Sequence, residues 1–370
     1  MDATSKIRAA VRDAATGLVE REALIELIVL AAVAGEHVLI IGPPGTAKSE
    51  VARRAARAVS GTYFEYLLGR FTEPSEIFGP VDLRKLREGV VETETRGMLP
   101  EAEVAFLDEV FLGSSAILNA LLAILNERTF RRGHTTMRCP LRVCIAAANG
   151  LPDDEHLAAF SDRFLVRAFV MPVPDAKLEE LLDVTEAGSD VTRASMADVD
   201  AVSRVAATVD TTAVRDDIAH AVRLLRRAGV ALTDRRIVKL RKLIAAAAAL
   251  AGRARATAAD LWPIITVVPT AEAQAVARDA LRDLLGKTEN GALVAAAVEA
   301  SRGPLARATE IIEHANALFE ARPADTDAQT AWRLKVEGIA RTIDASFAKD
   351  AMPDGLATVR EKIVATLTEA

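Results

Sequence analysis

The residues best suited to chemistry form the run Gly42-Pro43-Pro44-Gly45-Thr46-Ala47-Lys48-Ser49. Between an apolar strand and a helix, such a turn offers successive backbone N–H groups and a helix N-terminus to an anion. The backbone from Gly45 to Lys48 can wrap a polyphosphate, Lys48 can reach its β- and γ-phosphates, and Ser49 offers a hydroxyl to Mg²⁺. Pro43 and Pro44 stiffen the approach to the turn. Glycine usually occupies the sixth position of a loop of this type, and here Ala47 stands there.

A second candidate is Val104-Ala105-Phe106-Leu107-Asp108-Glu109. Four apolar residues followed by two acids fit a buried strand that delivers carboxylates to a cleft at its carboxyl end. Asp108 would hold Mg²⁺ through water, and Glu109 would orient and deprotonate an attacking water. Acids ending a strand are common alone, but 60 residues after Lys48 they are the expected partner of the loop. A third candidate is Asn149, after Ala146-Ala147-Ala148. It could place the water against a γ-phosphate; its plainer reading is a helix or turn cap.

These residues need a scaffold. Short apolar strands are expected at 37–41, 63–68, 104–107, 141–147 and 165–170, with a helix at 49–59 closed by Gly61. Continuous apolar strands alternating with helices indicate an α/β fold with a parallel sheet covered on both faces. Segment 79–99, rich in glycine and alternating charge, reads as an exposed hairpin or loop insertion rather than core. After Pro172 and Pro174 the pattern is helical, at 177–186, 196–208, 214–228, 234–252 and 258–266. A linker at 286–291 precedes further helices at about 304–321, 327–349 and 355–369. The expected domains are a nucleotide-binding core at 1–174, an all-α domain at 175–287 and a helical bundle at 288–370.

Composition agrees and excludes some classes. The chain has 370 residues, 51% of them hydrophobic, 4% aromatic, with a formal net charge of −6. Abundant alanine favours helix. The mild acidity gives no pull toward nucleic acid or anionic membrane. The longest apolar stretch, 24–41, is broken by Glu26, Glu36 and His37, so no membrane span is expected. Residues 1–13 lack a signal-peptide core, and the two cysteines, Cys139 and Cys144, fit buried side chains in a reducing cytoplasm.

In combination, the loop, Leu107-Asp108-Glu109, Ala148-Asn149 and Ser161-Asp162-Arg163-Phe164 resemble the MoxR group of AAA+ ATPases. Phe78-Gly79-Pro80, Leu99-Pro100-Glu101-Ala102-Glu103, Ile117-Leu118-Asn119 and Leu125-Asn126-Glu127-Arg128 look closest to its RavA branch. The resemblance covers about residues 18–285. It implies a P-loop NTPase (AAA+) core with an all-α lid and a C-terminal helical bundle, binding ATP or ADP with Mg²⁺. Within it, 79–99 would face the pore or substrate, Asn149 would be sensor 1, and Arg163 the arginine finger. Such a finger reaches a neighbour's ATP and contributes on the order of a thousandfold or more in rate. The plainer reading is an Asp162–Arg163 ion pair. After Thr233, a plausible N-cap, Arg235 would be sensor 2, with Arg236 as the second choice. From 220 to 260, ten Lys or Arg stand against two Asp, and most of that excess reads as a solvated helical face.

The resemblance further implies a hexameric, chaperone-like ATPase in the cytoplasm, acting on a protein partner, often one with a von Willebrand A domain. RavA-type chains carry a longer tail with a partner-binding domain, whereas about 80 residues follow the lid here. Two other readings are an ATP-dependent assembly scaffold with negligible turnover and a nucleic-acid motor. The intact Asp108-Glu109 pair argues against the first, and the acidic balance against the second.

Overall fold

The computed structural model describes residues 2–184, 194–302, 304–323, 326–346 and 352–368. Two helices open the chain, α1 (Ala3–Ala15) and α2 (Glu22–Ala34). Next come β1 (Val38–Ile41), α3 (Lys48–Ala58), β2 (Tyr63–Leu67), α4 (Pro74–Phe78), α5 (Leu83–Arg87) and β3 (Val104–Asp108). They are followed by α6 (Ser115–Glu127), β4 (Thr129–Arg132), β5 (Thr135–Arg138), β6 (Val143–Ala148), α7 (Glu155–Ser161) and β7 (Val166–Phe169). Beyond β7 all regular elements among the described residues are helical. They are α8 (Leu178–Leu182), α9 (Met196–Thr208), α10 (Arg215–Arg227), α11 (Asp234–Leu250), α12 (Pro263–Thr266), α13 (Ala271–Ala280), α14 (Arg282–Leu285) and α15 (Val294–Ser301). Three longer helices close the chain, α16 (Pro304–Glu320), α17 (Thr326–Ser346) and α18 (Asp354–Thr368).

The main sheet has the order β2-β3-β6-β1-β7, with every pair parallel. β1 and β6 are buried along their whole lengths, which explains why they read as unbroken apolar runs rather than alternating ones. One face packs Leu118, Leu121 and Ile124 of α6 and Phe160 of α7 against Leu39, Leu107 and Ala146. On the other side α2 contacts β1, β6 and β7, and it packs in turn on α1, α3, α9, α11 and α15. This is the covered α/β sheet of the AAA+ fold.

The described residues fall into two compact units, the first within 1–16, 21–171 and 187–301 and the second within 17–20, 172–186 and 302–370. In the second, α16–α18 enclose a core that includes Ala315, Trp332, Val336, Ile343, Leu356 and Ile363. Trp332 Nε1 donates to Leu318 O at 2.7 Å. α15 falls inside the expected 288–370 segment but packs on α2 in the first unit. Residues 185–186, 347–349 and 369, expected to be helical, lie outside the described residues.

Of the two forms expected for segment 79–99, it takes that of a loop insertion and not of a regular hairpin. Its ends meet through a single antiparallel bridge, Val81 to Thr93, and the helix α5 lies between them. Asp82 caps that helix by accepting from the N–H groups of Arg84 and Lys85. The cap and the helix-favouring Leu83-Arg84-Lys85-Leu86-Arg87 outweigh the extended preference of Val90-Val91. The hairpin occurs later, where β4 pairs antiparallel with β5 across Gly133 and His134. Gly133 sits at φ +59°, where a Cβ would come within 2.7 Å of Val91 O.

Candidate functional site

The strand order gathers the candidates. β3, β6 and β1 are neighbours, so Asp108, Asn149 and the loop after Ile41 emerge together at their carboxyl ends, the usual place for a ligand in an open parallel sheet. Two backbone bonds draw the strand ends together: Gly42 N–H donates to Ala148 O at 3.1 Å, and Leu68 N–H to Asp108 O at 2.9 Å. Gly42 is required sterically, because a Cβ there would lie 2.2 Å from Val170 O.

Within the loop, Lys48 is buried, and its Nζ donates to Gly42 O at 2.7 Å and Pro43 O at 2.9 Å. Thr46 Oγ1 donates to Pro43 O at 2.9 Å. Gly45 has φ +79° and Ala47 φ +62°. Ala47 thus adopts the left-handed conformation for which glycine is the ordinary choice, at a cost of about 1–2 kcal/mol. Ser49 follows in the first turn of α3. The loop carries an aligned helix N-terminus and an amine curled over it, suited to a polyphosphate.

Across the cleft, Glu109 is also left-handed, with φ +50° and ψ +43°. Its N–H donates to Asp108 Oδ1 at 3.0 Å, and its Oε1 accepts from Asn149 Nδ2 at 2.6 Å. Non-glycine residues held in this region store strain on the order of 1–3 kcal/mol and gather at functional sites. Among the described residues no group of three or more His, Cys, Asp or Glu side chains could hold a metal unaided. A cation here would rely on Asp108, Ser49, phosphate oxygens and water. That donor set suits Mg²⁺, which keeps several waters and favours one or two carboxylates.

One contributor escaped the sequence reading. Arg21, at the N-cap of α2 and 6% exposed, donates from Nε to Thr46 O at 2.9 Å and from Nη2 to Met171 O at 2.8 Å. It ties the loop to the segment after β7. No local motif announces it, because its partners are backbone carbonyls distant in sequence.

The predicted arginines stand elsewhere. Arg163 lies in the turn between α7 and β7, at the amino end of the strand whose partner β1 carries the loop at its carboxyl end. Asp162 does not pair with it; Asp162 Oδ1 accepts from Arg236 Nε at 2.6 Å. Among the described residues the Arg163 guanidinium has no hydrogen-bond or ion-pair partner, and its Nε is buried.

Arg235, in the first turn of α11, donates from Nη2 to Asn126 Oδ1 at 2.5 Å near the end of α6. It lines a cavity of about 530 Å³ with Gly35, Glu36, Arg128, Lys239 and Lys242. Since Gly35 and Glu36 precede β1, Arg235 is also at the amino edge of the sheet. The structure therefore brings together the loop, Asp108, Glu109 and Asn149, and places Arg163 and Arg235 at the opposite edge. Arg236 is 2% exposed and bonded throughout, so it is not a free sensor.

Several cations read as a solvated face serve the interior. Lys239 and Lys242 both pair with Glu36, which is 2% exposed, and Arg253 pairs with the buried Asp260. Thr233 caps α11, accepting from the N–H of Arg236. His37, fully buried, accepts the N–H of Cys144 at Nδ1, and burial holds its pKa well below the ordinary imidazole value. Burial likewise pushes the Cys139 thiol to about 11 and the Cys144 thiol to about 12, so neither is a ready nucleophile.

A family model described as the MoxR domain in the MoxR-vWA-beta-propeller ternary systems matches residues 5–210. An uncharacterized protein of Methanocaldococcus jannaschii is 37% identical over 244 residues, spanning 65% of this chain and 65% of that one. The chaperone MoxR1 of Mycobacterium tuberculosis is 28% identical over 167 residues, 44% of each chain. A solved "putative ATPase" of Cytophaga hutchinsonii superposes with a TM-score of 0.62 at 18% identity, over 78% of this chain and 96% of that one, and shows the fold. None of these descriptions names the RavA branch. With more than half of its residues matched by the family model and its sheet in AAA+ form, the chain belongs to the MoxR group of AAA+ ATPases.

Proposed function

We propose that this chain hydrolyses Mg-ATP as one subunit of a ring, six-membered by analogy with its group, and that the cycle remodels a protein partner in the manner of a chaperone. The observation that carries the reading is the separation of two half-sites. The loop, Asp108, Glu109 and Asn149 gather at the carboxyl edge of the sheet, and Arg163 and Arg235 at the amino edge. The four residues of β1 alone span roughly 13 Å at about 3.3 Å per residue. Arginines beyond the far end of that strand meet a γ-phosphate when the nucleotide belongs to an adjacent copy. A closed head-to-tail ring supplies that geometry.

In this reading the backbone of Gly42 to Ala47 cradles the phosphates and Lys48 moves from the loop carbonyls to the β- and γ-phosphates. Ser49 and Asp108 hold Mg²⁺, which when bound neutralises charge on the phosphate oxygens. Glu109 takes the proton of the attacking water, held in orientation by Asn149. Arg163 stabilises charge on the γ-phosphate from the neighbour, with Arg235 beside it as sensor 2. The working division is a core at 1–174, a lid at 175–287 and a bundle at 288–370. Motifs at 78–128 favour a RavA-like branch within the group.

The matched family description names ternary systems of MoxR, vWA and β-propeller components, which supports a von Willebrand A domain protein as the partner. The M. tuberculosis relative is named a chaperone, in keeping with remodelling. No described helix is long and apolar enough to cross a membrane, and the proposed setting is the cytoplasm. Phosphate release measured alongside nucleotide binding tests the reading. Mg-dependent turnover that disappears in Glu109→Gln supports it, whereas ATP binding without turnover in the unaltered protein would leave an assembly scaffold instead.

A further inference from the structure

We propose that Arg236 and Asp162 are positioning residues that lock the start of α11 to the turn bearing Arg163, so that the half-buried Arg163 and Arg235 are presented as one unit. The inference rests on the reading of Arg163 as acting on a neighbour's nucleotide.

The geometry is unusually complete for one side chain. Arg236 donates from Nε to Asp162 Oδ1 at 2.6 Å and from Nη1 to Leu165 O at 3.1 Å and Val267 O at 2.7 Å. Its Nη2 donates to Phe164 O at 3.2 Å. A guanidinium has five N–H donors in a rigid planar fork, and most of the fork is engaged here. Three of the four acceptors lie within 162–165, on both sides of Arg163 in sequence. The cation's own chain neighbour is Arg235.

The turn is held from a second direction. Arg167, 3% exposed on β7, donates from Nη2 to Ser161 O at 2.6 Å and Ser161 Oγ at 3.1 Å. The backbone closes the turn itself, through Arg163 N–H to Phe160 O at 3.0 Å and Phe164 N–H to Ser161 O at 3.1 Å. Amid this network the Arg163 side chain alone is unpartnered among the described residues. Arg167 holds the turn through Nη2 alone, its Nε and Nη1 being buried without partners among the described residues.

A buried fork could serve stability alone, but its placement has a further consequence. Asp162 sits beside Arg163 and Arg236 beside Arg235, so their ion pair resists any displacement of α11 against the turn before β7 that would separate the two arginines. Effective catalysis by a group that stabilises developing charge requires placement to within a fraction of an ångström. The ion pair supplies that placement across elements 74 residues apart in sequence.

Asp162→Asn tests the proposal, because it removes the charge pair and leaves the backbone acceptors of Arg236 in place. The expected result is at least a tenfold loss of kcat at saturating ATP, with KM, ring assembly and melting temperature near those of the unaltered protein. The decisive arm is Asp162→Asn in an Arg163→Ala background, where it should have no further effect. Should Asp162→Asn fold poorly, Asp162→Glu keeps the charge on a longer arm and should give the same pattern in milder form. Unchanged kcat in a folded, assembled Asp162 variant overturns the inference, and so does an equal additional loss in the Arg163→Ala background. If Arg163→Ala itself turns over normally, the reading of the finger fails, a result distinct from either of these.

Discussion

Asn149 and Glu109, 40 residues apart and each the first residue past the carboxyl end of the neighbouring strands β6 and β3, are joined by a hydrogen bond of 2.6 Å from Nδ2 to Oε1. The amide fixes the orientation of one carboxylate oxygen and leaves the other for a water. Replacing Glu109 with Gln should keep ATP binding within a few-fold and lower phosphate release by on the order of 10²–10⁴, the usual contribution of a general base. Asn149→Ala, which frees the carboxylate but leaves it in place, should cost less, about tenfold to a hundredfold. A larger loss from Asn149→Ala than from Glu109→Gln would reverse the two roles.

Arg163 has no partner of its own among the described residues, so Arg163→Ala should leave the fold intact. Melting temperature should change by little and turnover should drop by on the order of a thousandfold. Mixing that variant with Glu109→Gln subunits should restore part of the activity, because some interfaces then gain both an intact base and an intact finger. Absence of restoration at every mixing ratio would contradict action between subunits.

Arg21 braces Thr46 O from outside the loop. Arg21→Ala should therefore raise KM for ATP about tenfold, through a looser cradle, with a smaller change in kcat. The check is steady-state kinetics paired with a melting curve. Loss of kcat at constant KM would place Arg21 in the chemical step instead.

Gly42 approaches Val170 so closely that a Cβ would sit 2.2 Å from its carbonyl oxygen. Gly42→Ala should displace the loop, destabilise the protein by about 1–3 kcal/mol and abolish ATP binding. By contrast, Ala47→Gly relaxes a left-handed alanine and should bind ATP at least as well as the unaltered chain. Isothermal titration of both variants separates a steric requirement from a conformational one.

Glu26 is 9% exposed on α2, where its Oε2 accepts the N–H of Ala296 at 2.7 Å. Burial raises its pKa from 4.5 to about 7, against the lowering effect of the backbone N–H groups of Ala296, Ala295 and Val294. The folded protein thus holds this proton more tightly than the unfolded chain does. The stabilisation is full below pH 4.5 and is lost as pH rises through about 7, by on the order of 2–3 kcal/mol. Denaturant melts across that window should show this decline, and Glu26→Gln should flatten it. A slope unchanged by the substitution would assign the decline to other groups.

Much of the fold and one edge of the site were legible from residue types alone. Loop, acids and asparagine each end an apolar run, and burial on both faces of a parallel sheet makes such runs stand out. The helix α5 is masked in the sequence because Val90-Val91 favours strand, while the Asp82 cap decides the segment locally. Arg21 and Arg236 were hidden for another reason. Apart from Asp162, their acceptors are carbonyls, which every residue carries, so nothing in the pattern marks Arg21 or the interior bonding of Arg236.

The sequence by itself determined that a glycine-rich loop, two acids and a polar residue each end an apolar strand, since local periodicity expresses those features, and their combination carried the resemblance to AAA+ ATPases. Only the tertiary structure decided which side chains share an edge. Strand order put Asn149 beside Glu109, the parallel direction of β1 and β7 put Arg163 a strand's length away, and the contact of α11 with Asn126 put Arg235 at that same edge. The fold also gave Asp162 to Arg236 rather than to the adjacent Arg163, because a buried guanidinium takes its counter-charge from whatever carboxylate packing brings within reach, and distance along the chain does not enter.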